Sequence, residues 1–304
     1  MMDILLKKFI KNQKDYNDPD VRNKIGSLAS WSGIILNILL VIGKVLAGFV
    51  SGSMSIIADG INNLMDAIGS VITLIGFKLS RKKADKEHPF GHGRYEYVAG
   101  LAVAVLVLLV GIELGRTSIA KVINPTIIDF GWLPLVILVI SIILKLWMRL
   151  FIKNLGQRIN STALIAVSVD SRNDAIATSA VLITAFISQF ANIKLDGWAS
   201  LGVAIFIIYN GVILIKETIS PILGESPSDE LVNYITKKIE SYECVIGLHD
   251  LIVHDYGPGK QYASAHLELS SDIDPLVSHA VLDKIEKEFL EKDNIHMVIH
   301  YDPV

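Results

Sequence analysis

Cysteine is nearly absent from this 304-residue chain: Cys244 stands alone, so no internal disulfide can form and cysteine-rich metal sites are excluded. No H-E-x-x-H motif occurs, which removes the commonest signature of a metal-dependent hydrolase. Charge is scarce too, at 19% of residues, and it gathers in the two ends and a few loops. The net charge of −3 is too small to suggest a nucleic-acid partner. The opening "MMDILLKKFIKNQKDYNDPDVRNK" lacks an uninterrupted apolar core of signal-peptide length and reads as a short basic cytoplasmic lead.

What the chain has in excess is apolar sequence. It is 51% hydrophobic with a mean hydropathy of +0.48, concentrated in long runs that point to an integral membrane protein. Six segments meet the length of a spanning helix: Leu28–Val50, Ser55–Leu79, Val98–Val122, Gly131–Ile152, Thr162–Phe190 and Trp198–Ile219. Basic residues mark one side of them. The lead carries Lys7, Lys8, Lys11, Lys14, Arg22 and Lys24, the loop after the second segment Arg81, Lys82, Lys83, Lys86 and Arg94, and the loop after the fourth Arg149, Lys153 and Arg158. The alternate loops are poorer in charge, so both termini are expected in the cytoplasm.

Beyond Pro221 the character changes, and the expected organisation is a lead (1–27), a six-helix membrane domain (28–222) and a cytoplasmic domain (223–304). The last part reads helix, strand, strand, helix, strand. "SDELVNYITKKIESYE" has helical periodicity behind an N-cap Ser228, "LHDLIVHDY" and "QYASAHLEL" alternate around a "GPGK" turn, "PLVSHAVLDKIEKEFLEKD" is amphipathic behind Pro275, and "IHMVIHY" closes the chain. An α-β-β-α-β order predicts a small ferredoxin-like α+β domain.

The chemistry sits inside the membrane segments. In the second segment Asp59, Asn62 or Asn63, and Asp66 share a helical face, and in the fifth Asp170 and Asp174 do. Uncompensated carboxylates in a bilayer are costly, and several together repel. A divalent cation reverses that balance and exchanges with bound protons. Asn62, Asp66, Asp170 and Asp174 are therefore expected to bind a metal ion, with Asn63 able to stand in for Asn62. Asp59 has only an accessory place, as a proton or helix partner. Helix–helix hydrogen bonding would explain the asparagines, but it does not explain the acids. The donors are all hard oxygens. That set suits Mn²⁺ better than Zn²⁺, which prefers nitrogen or sulfur, and Mg²⁺ sheds its water reluctantly. In the loop "RKKADKEHPFGHGR", Asp85, His88 and His92 have a spacing that can share an ion at a helix end, the alternative being a solvated loop packing the start of the next helix.

At this point the sequence resembles the cation diffusion facilitator family, over about residues 24–304. The resemblance is carried by "SGSMSIIADGINNLMDA", "HPFGHGRYEYVAGL", "VSVDSRNDAIATSAV" and a tail running "GLHDL…AHLEL…IHYDP". It implies six spans with a small cytoplasmic α+β domain, a homodimer, and export of a divalent metal against protons from the cytoplasm across the inner cell membrane. The protein is then a secondary transporter rather than an enzyme, with the metal as substrate and no organic cofactor. Zinc-transporting members carry a His in the fifth segment where this chain has Asp170, so the pattern is similar to the manganese-exporting branch. The resemblance also places His249, His266, His279, His300 and Asp302 at positions where relatives bind metal in the tail near the dimer interface. Zn²⁺, Fe²⁺ or Cd²⁺ as the transported ion is the nearest competing reading. A membrane-anchored metal sensor is a competitor of another class, and it leaves the membrane acids unexplained.

Overall fold

The computed structural model describes residues 19–51, 54–124, 132–191 and 196–304. Six long helices come first: α1 (Pro19–Ser51), α2 (Met54–Ser80), α3 (Tyr95–Ile123), α4 (Trp132–Arg158), α5 (Thr162–Ala191) and α6 (Asp196–Leu223). Then follow α7 (Asp229–Glu240), β1 (Val245–Asp255), β2 (Gln261–Leu269), α8 (Pro275–Asp293) and β3 (Ile295–Pro303). Two compact units result, one made of residues 1–81 and 95–219, the other of 82–94 and 220–304. The loop 82–94, which sequence places inside the membrane domain, therefore packs with the C-terminal unit.

Among the described residues, five helices are long and apolar enough to cross a membrane: α1, α2, α3, α4 and α6. The fifth segment, α5, has 30 residues but is not among them. Its interior carries Asp170, Arg172, Asn173 and Asp174, which lower its apolarity where the candidate site lies. The first helix also begins earlier than its apolar run, at Pro19 rather than near Leu28. A paired charge permits this: Arg22 is buried against Glu96 at the start of α3, with Nη2 donating to both carboxylate oxygens at 3.2 and 3.1 Å.

The first unit is held by an apolar core that draws on every one of the six helices, with Ile25, Phe77, Val103, Ile152, Leu164 and Leu214 at its centre. Helices approach closely where residues are small. A Cβ added to Gly33 of α1 would come within 2.6 Å of the Ser70 hydroxyl of α2. The outward face is apolar as well. Trp31, Ile35, Leu39, Ile42 and Leu46 are exposed along one stripe of α1, the surface a lipid-facing helix presents.

The second unit has two layers. The sheet runs β1-β2-β3, antiparallel between β1 and β2 and parallel between β2 and β3. Alternation divides its residues between faces. Ala263, Ala265 and Leu267 of β2 meet Ile235 and Ile239 of α7 and Ile285 and Phe289 of α8, while Tyr262, Ser264, His266 and Glu268 point the other way. Ser228 caps α7 by accepting from the Leu231 amide, and Asp274 caps α8 by accepting from that of Leu276. The "GPGK" turn closes with the Tyr256 amide donating to the Lys260 carbonyl at 3.1 Å, and Gly257 and Gly259 supply its positive φ angles.

Candidate metal centres

Asp66 on α2 and Asp170 and Asp174 on α5 come together: one carboxylate oxygen from each lies within 4.8 Å of the others. Four-residue spacing on α5 stacks its two acids on one face, and α2 brings Asp66 against them. The side chains of Asp59 and Asn62 lie outside the described residues. Asn63 is described and buried. With its amide turned so that both ends are satisfied, its nitrogen donates to Asp66 Oδ2 at 3.2 Å and its oxygen accepts from Lys44 Nζ of α1 at 2.7 Å. In this arrangement Asn63 positions a carboxylate. Arg172, which lies in sequence between the two acids of α5, turns away to donate to Asn210 Oδ1 of α6 at 2.8 Å and leans over the Phe206 ring.

A residue that sequence reasoning passed over completes the cluster. Lys145 of α4 places Nζ 2.6 Å from Asp66 Oδ2 and 2.5 Å from Asp174 Oδ2, and only 3% of its side chain is exposed. An ammonium is not a metal ligand, so a ligand pattern in the sequence does not single it out. Yet Lys145 is the only charge in "LPLVILVISIILKLWM", and an ionisable residue at membrane depth marks a functional site by default. Lys44, buried on α1, escaped for the same reason.

The loop brings together Asp85, His88 and His92, again with ligand atoms within 4.8 Å. Asp85 Oδ1 accepts from the amides of Glu87 and His88 at 3.1 and 2.8 Å, folding the loop into a tight turn. The Lys82 ammonium, 2.8 Å away, holds the Asp85 carboxyl well below the usual carboxylate range, with the His88 amide adding to it. His92 is buried, and its Nδ1 faces the carbonyls of Lys82 and Lys83 at 3.2 and 3.1 Å. Only an N–H can satisfy two carbonyls, so Nδ1 carries the proton. Nε2 faces Asp85 Oδ2 at 3.5 Å. The loop is anchored within its unit: Phe90 stacks on Tyr256 with centroids 4.4 Å apart, and Arg94 donates to the Asp255 carbonyl at 2.6 Å.

In the sheet, register aligns three histidines across three strands: His249 of β1 opposite His266 of β2, and His266 beside His300 of β3. A β-bulge makes this possible. Between His249 and Ile252 the register with β2 slips, and Asp250 takes φ 50°. In a regular strand His249 and Ile252, three apart, would face opposite ways; the extra residue returns His249 to the outer face. Asp302, two along from His300, reaches over to all three. Its Oδ2 is 3.0 Å from His249 Nε2 and 3.0 Å from His266 Nδ1, and Oδ1 is 3.4 Å from His300 Nε2. The bond from His266, helped by the neighbouring imidazoles, lowers the Asp302 pKa. His279 does not join them; it is exposed on α8, near Asp283. His296 stacks on Tyr262 at 4.7 Å, and His254 is exposed on β1.

Residues 30–223 match the family model described as the cation efflux transmembrane domain, and residues 227–304 that of the cation efflux protein, cytoplasmic domain. An uncharacterized transporter of Methanocaldococcus jannaschii is 30% identical over 271 residues, covering 88% of this chain and 95% of the relative. The cation-efflux pump FieF of Citrobacter koseri is 26% identical, and that of Salmonella choleraesuis 27%, each over 281 residues, 92% of this chain and 93% of the relative.

Proposed function

The chain belongs to the cation efflux family, and on that premise we propose that it exports Mn²⁺ from the cytoplasm in exchange for protons, by alternating access of a site formed by Asp66, Asp170 and Asp174. The observation that carries this reading is the donor set. Three carboxylates meet between α2 and α5, and among the described residues no histidine or cysteine joins them. Hard oxygen donors favour Mn²⁺ over Zn²⁺. Asn62, one turn from Asp66 in the sequence of α2, would supply a fourth oxygen. Carboxylates that give up protons when a metal binds and take them back when it leaves couple the two fluxes without a further group. Alternating access needs a fixed site and a bundle that rocks about it. The proposed bundle has six spans, with α5 as the sixth, both termini cytoplasmic, in the inner cell membrane.

The C-terminal unit serves as the homodimerising and metal-responsive domain. His249, His266 and Asp302, with His300, would hold a resident ion there, and their mixed nitrogen and oxygen donors fit Zn²⁺ as well as Mn²⁺. His279, exposed on α8, stands apart from them. Asp85, His88 and His92 make a third candidate centre in the loop.

Proteoliposomes loaded with Mn²⁺, Zn²⁺, Fe²⁺ or Cd²⁺ under a pH gradient test the function. Mn²⁺ should move fastest and collapse the gradient as it does so. Transport of Zn²⁺ with Mn²⁺ ignored would overturn the choice of ion. Asp174→Ala should abolish flux while leaving the tail's metal binding intact; normal flux in that variant would remove the site.

A further inference from the structure

The proposed transport site already holds a cation that belongs to the chain. Lys145 Nζ lies 2.6 Å from Asp66 Oδ2 and 2.5 Å from Asp174 Oδ2, so one ammonium bridges two of the three carboxylates, one on α2 and one on α5. A hard divalent ion sits ~2.0–2.6 Å from the carboxylate oxygens that bind it. An ion on these same two oxygens would therefore occupy the volume that the ammonium fills. Two positive centres cannot share it, so loading must move the lysine.

We propose that Lys145 is a tethered competitor: the metal ion enters by displacing its ammonium from Asp66 and Asp174, and the ammonium's return helps to expel the ion. This rests on the reading that Asp66, Asp170 and Asp174 hold the ion. Several physical consequences follow from the geometry. Without metal, Lys145 compensates carboxylates that would otherwise be buried unpaired, a costly state at membrane depth. With metal, the broken charge-assisted hydrogen bonds reduce the affinity of every ion by the same factor. Ratios between ions are unchanged by that common factor, but weak binders drop out of the working range. Mg²⁺, which surrenders its water reluctantly, starts as a weak binder and so leaves that range first. Lys145 thus sets the threshold for loading and is not itself a ligand. The side chain is long enough to act so: four methylenes let an ammonium move while its backbone stays in α4. Lys44 is placed differently: its ammonium donates to the Asn63 amide oxygen at 2.7 Å, and that amide in turn donates to Asp66 Oδ2.

Equilibrium dialysis of Mn²⁺ and Mg²⁺ against the purified full-length protein tests this at one fixed pH. The binding counted is the component that Asp170→Asn removes, which separates the site from the histidine clusters. Lys145→Gln should tighten Mn²⁺ binding at least about tenfold, roughly the worth of one charge-assisted hydrogen bond, and should make Mg²⁺ binding measurable. Lys145→Arg keeps the charge and should stay weak. In proteoliposomes Lys145→Gln should lower KM and also kcat, since release loses its competitor. Unchanged or weaker Mn²⁺ binding in a Lys145→Gln protein that unfolds at the wild-type temperature would make Lys145 a structural brace and overturn the proposal. Should that variant fail to fold, labelling of the wild-type protein with an amine-reactive acetyl donor decides. Mn²⁺ should speed modification of Lys145, and an unchanged or slower rate would overturn the displacement. If the wild type shows no component that Asp170→Asn removes, the transport-site reading itself falls, and this inference with it.

Discussion

Glu96→Gln should destabilise the membrane unit far more than a single lost charge usually does. Arg22 Nη2 donates to both carboxylate oxygens of Glu96, at 3.2 and 3.1 Å. The two side chains are 3% and 6% exposed, so neither can turn to water when the other is neutralised. Breaking a buried pair from one side costs about 3–5 kcal/mol, against under about 1 kcal/mol for a surface pair. At about 2–4 °C per kcal/mol for a unit of this size, the melting temperature should fall by roughly 6–20 °C. Thermal unfolding of the detergent-purified protein, followed by intrinsic fluorescence, reads this directly. Replacing both partners, Arg22→Met with Glu96→Leu, should recover most of the loss, since apolar residues of similar size avoid the desolvation altogether. A loss under about 1 kcal/mol for Glu96→Gln would refute the reasoning. So would a double variant no better than the worse single, which would show that packing, not charge, fixes this contact.

Three further outcomes can be checked. Asp302→Asn should weaken metal binding in the tail about 10–100-fold, measured by dialysis in an Asp170→Asn background, because its Oδ2 sits between His249 and His266; an unaltered affinity would place the ligands elsewhere. Asn63→Leu should cost about 1–3 kcal/mol in thermal stability through the amide's lost bonds to Lys44 and Asp66, and should slow Mn²⁺ flux. Glu288 is held at about 2, below its ordinary 4.5, first by the Lys292 ammonium and then by the Tyr242 hydroxyl. A depressed carboxylate favours the folded form above its unfolded value, so this contribution is complete above pH 4.5 and disappears as pH falls toward 2; hydrogen exchange in α8 should lose that part of its acid sensitivity in Glu288→Gln.

Periodicity alone made much of this architecture legible. The helix-strand-strand-helix-strand order of the tail follows from alternation around "GPGK", from the cap at Ser228 and from Pro275 at the head of the last helix. The acids of α2 and α5 stood out because a carboxylate in an apolar run is conspicuous and four-residue spacing aligns it. Lysine in an apolar helix is just as conspicuous, but an ammonium is no metal ligand, and the tie of Lys145 to the site shows only in its contacts with Asp66 and Asp174. Other features could not be read locally. Arg22 counts toward the basic lead until Glu96, 74 residues away, is seen to neutralise it. The outward turn of His249 depends on a bulge that simple alternation does not contain. The packing of loop 82–94 with the C-terminal unit depends on Phe90 and Arg94 meeting residues of β1 and the turn after it, a pairing across more than half the chain.

The row of histidines also bears on how the tail is held together. β1 and β3 are not neighbours in the sheet, yet Asp302 spans β2 to touch His249. Contacts of that kind tie the edge strand that closes the chain to the edge strand that opens the sheet. A small extracellular domain would make such a tie with a disulfide, permanent once formed. A protein with a single cysteine has no such bond to make. Its cross-strand tie is a cluster of imidazoles around one carboxylate, so the two edge strands are joined by polar contacts that can be remade rather than by a covalent bond.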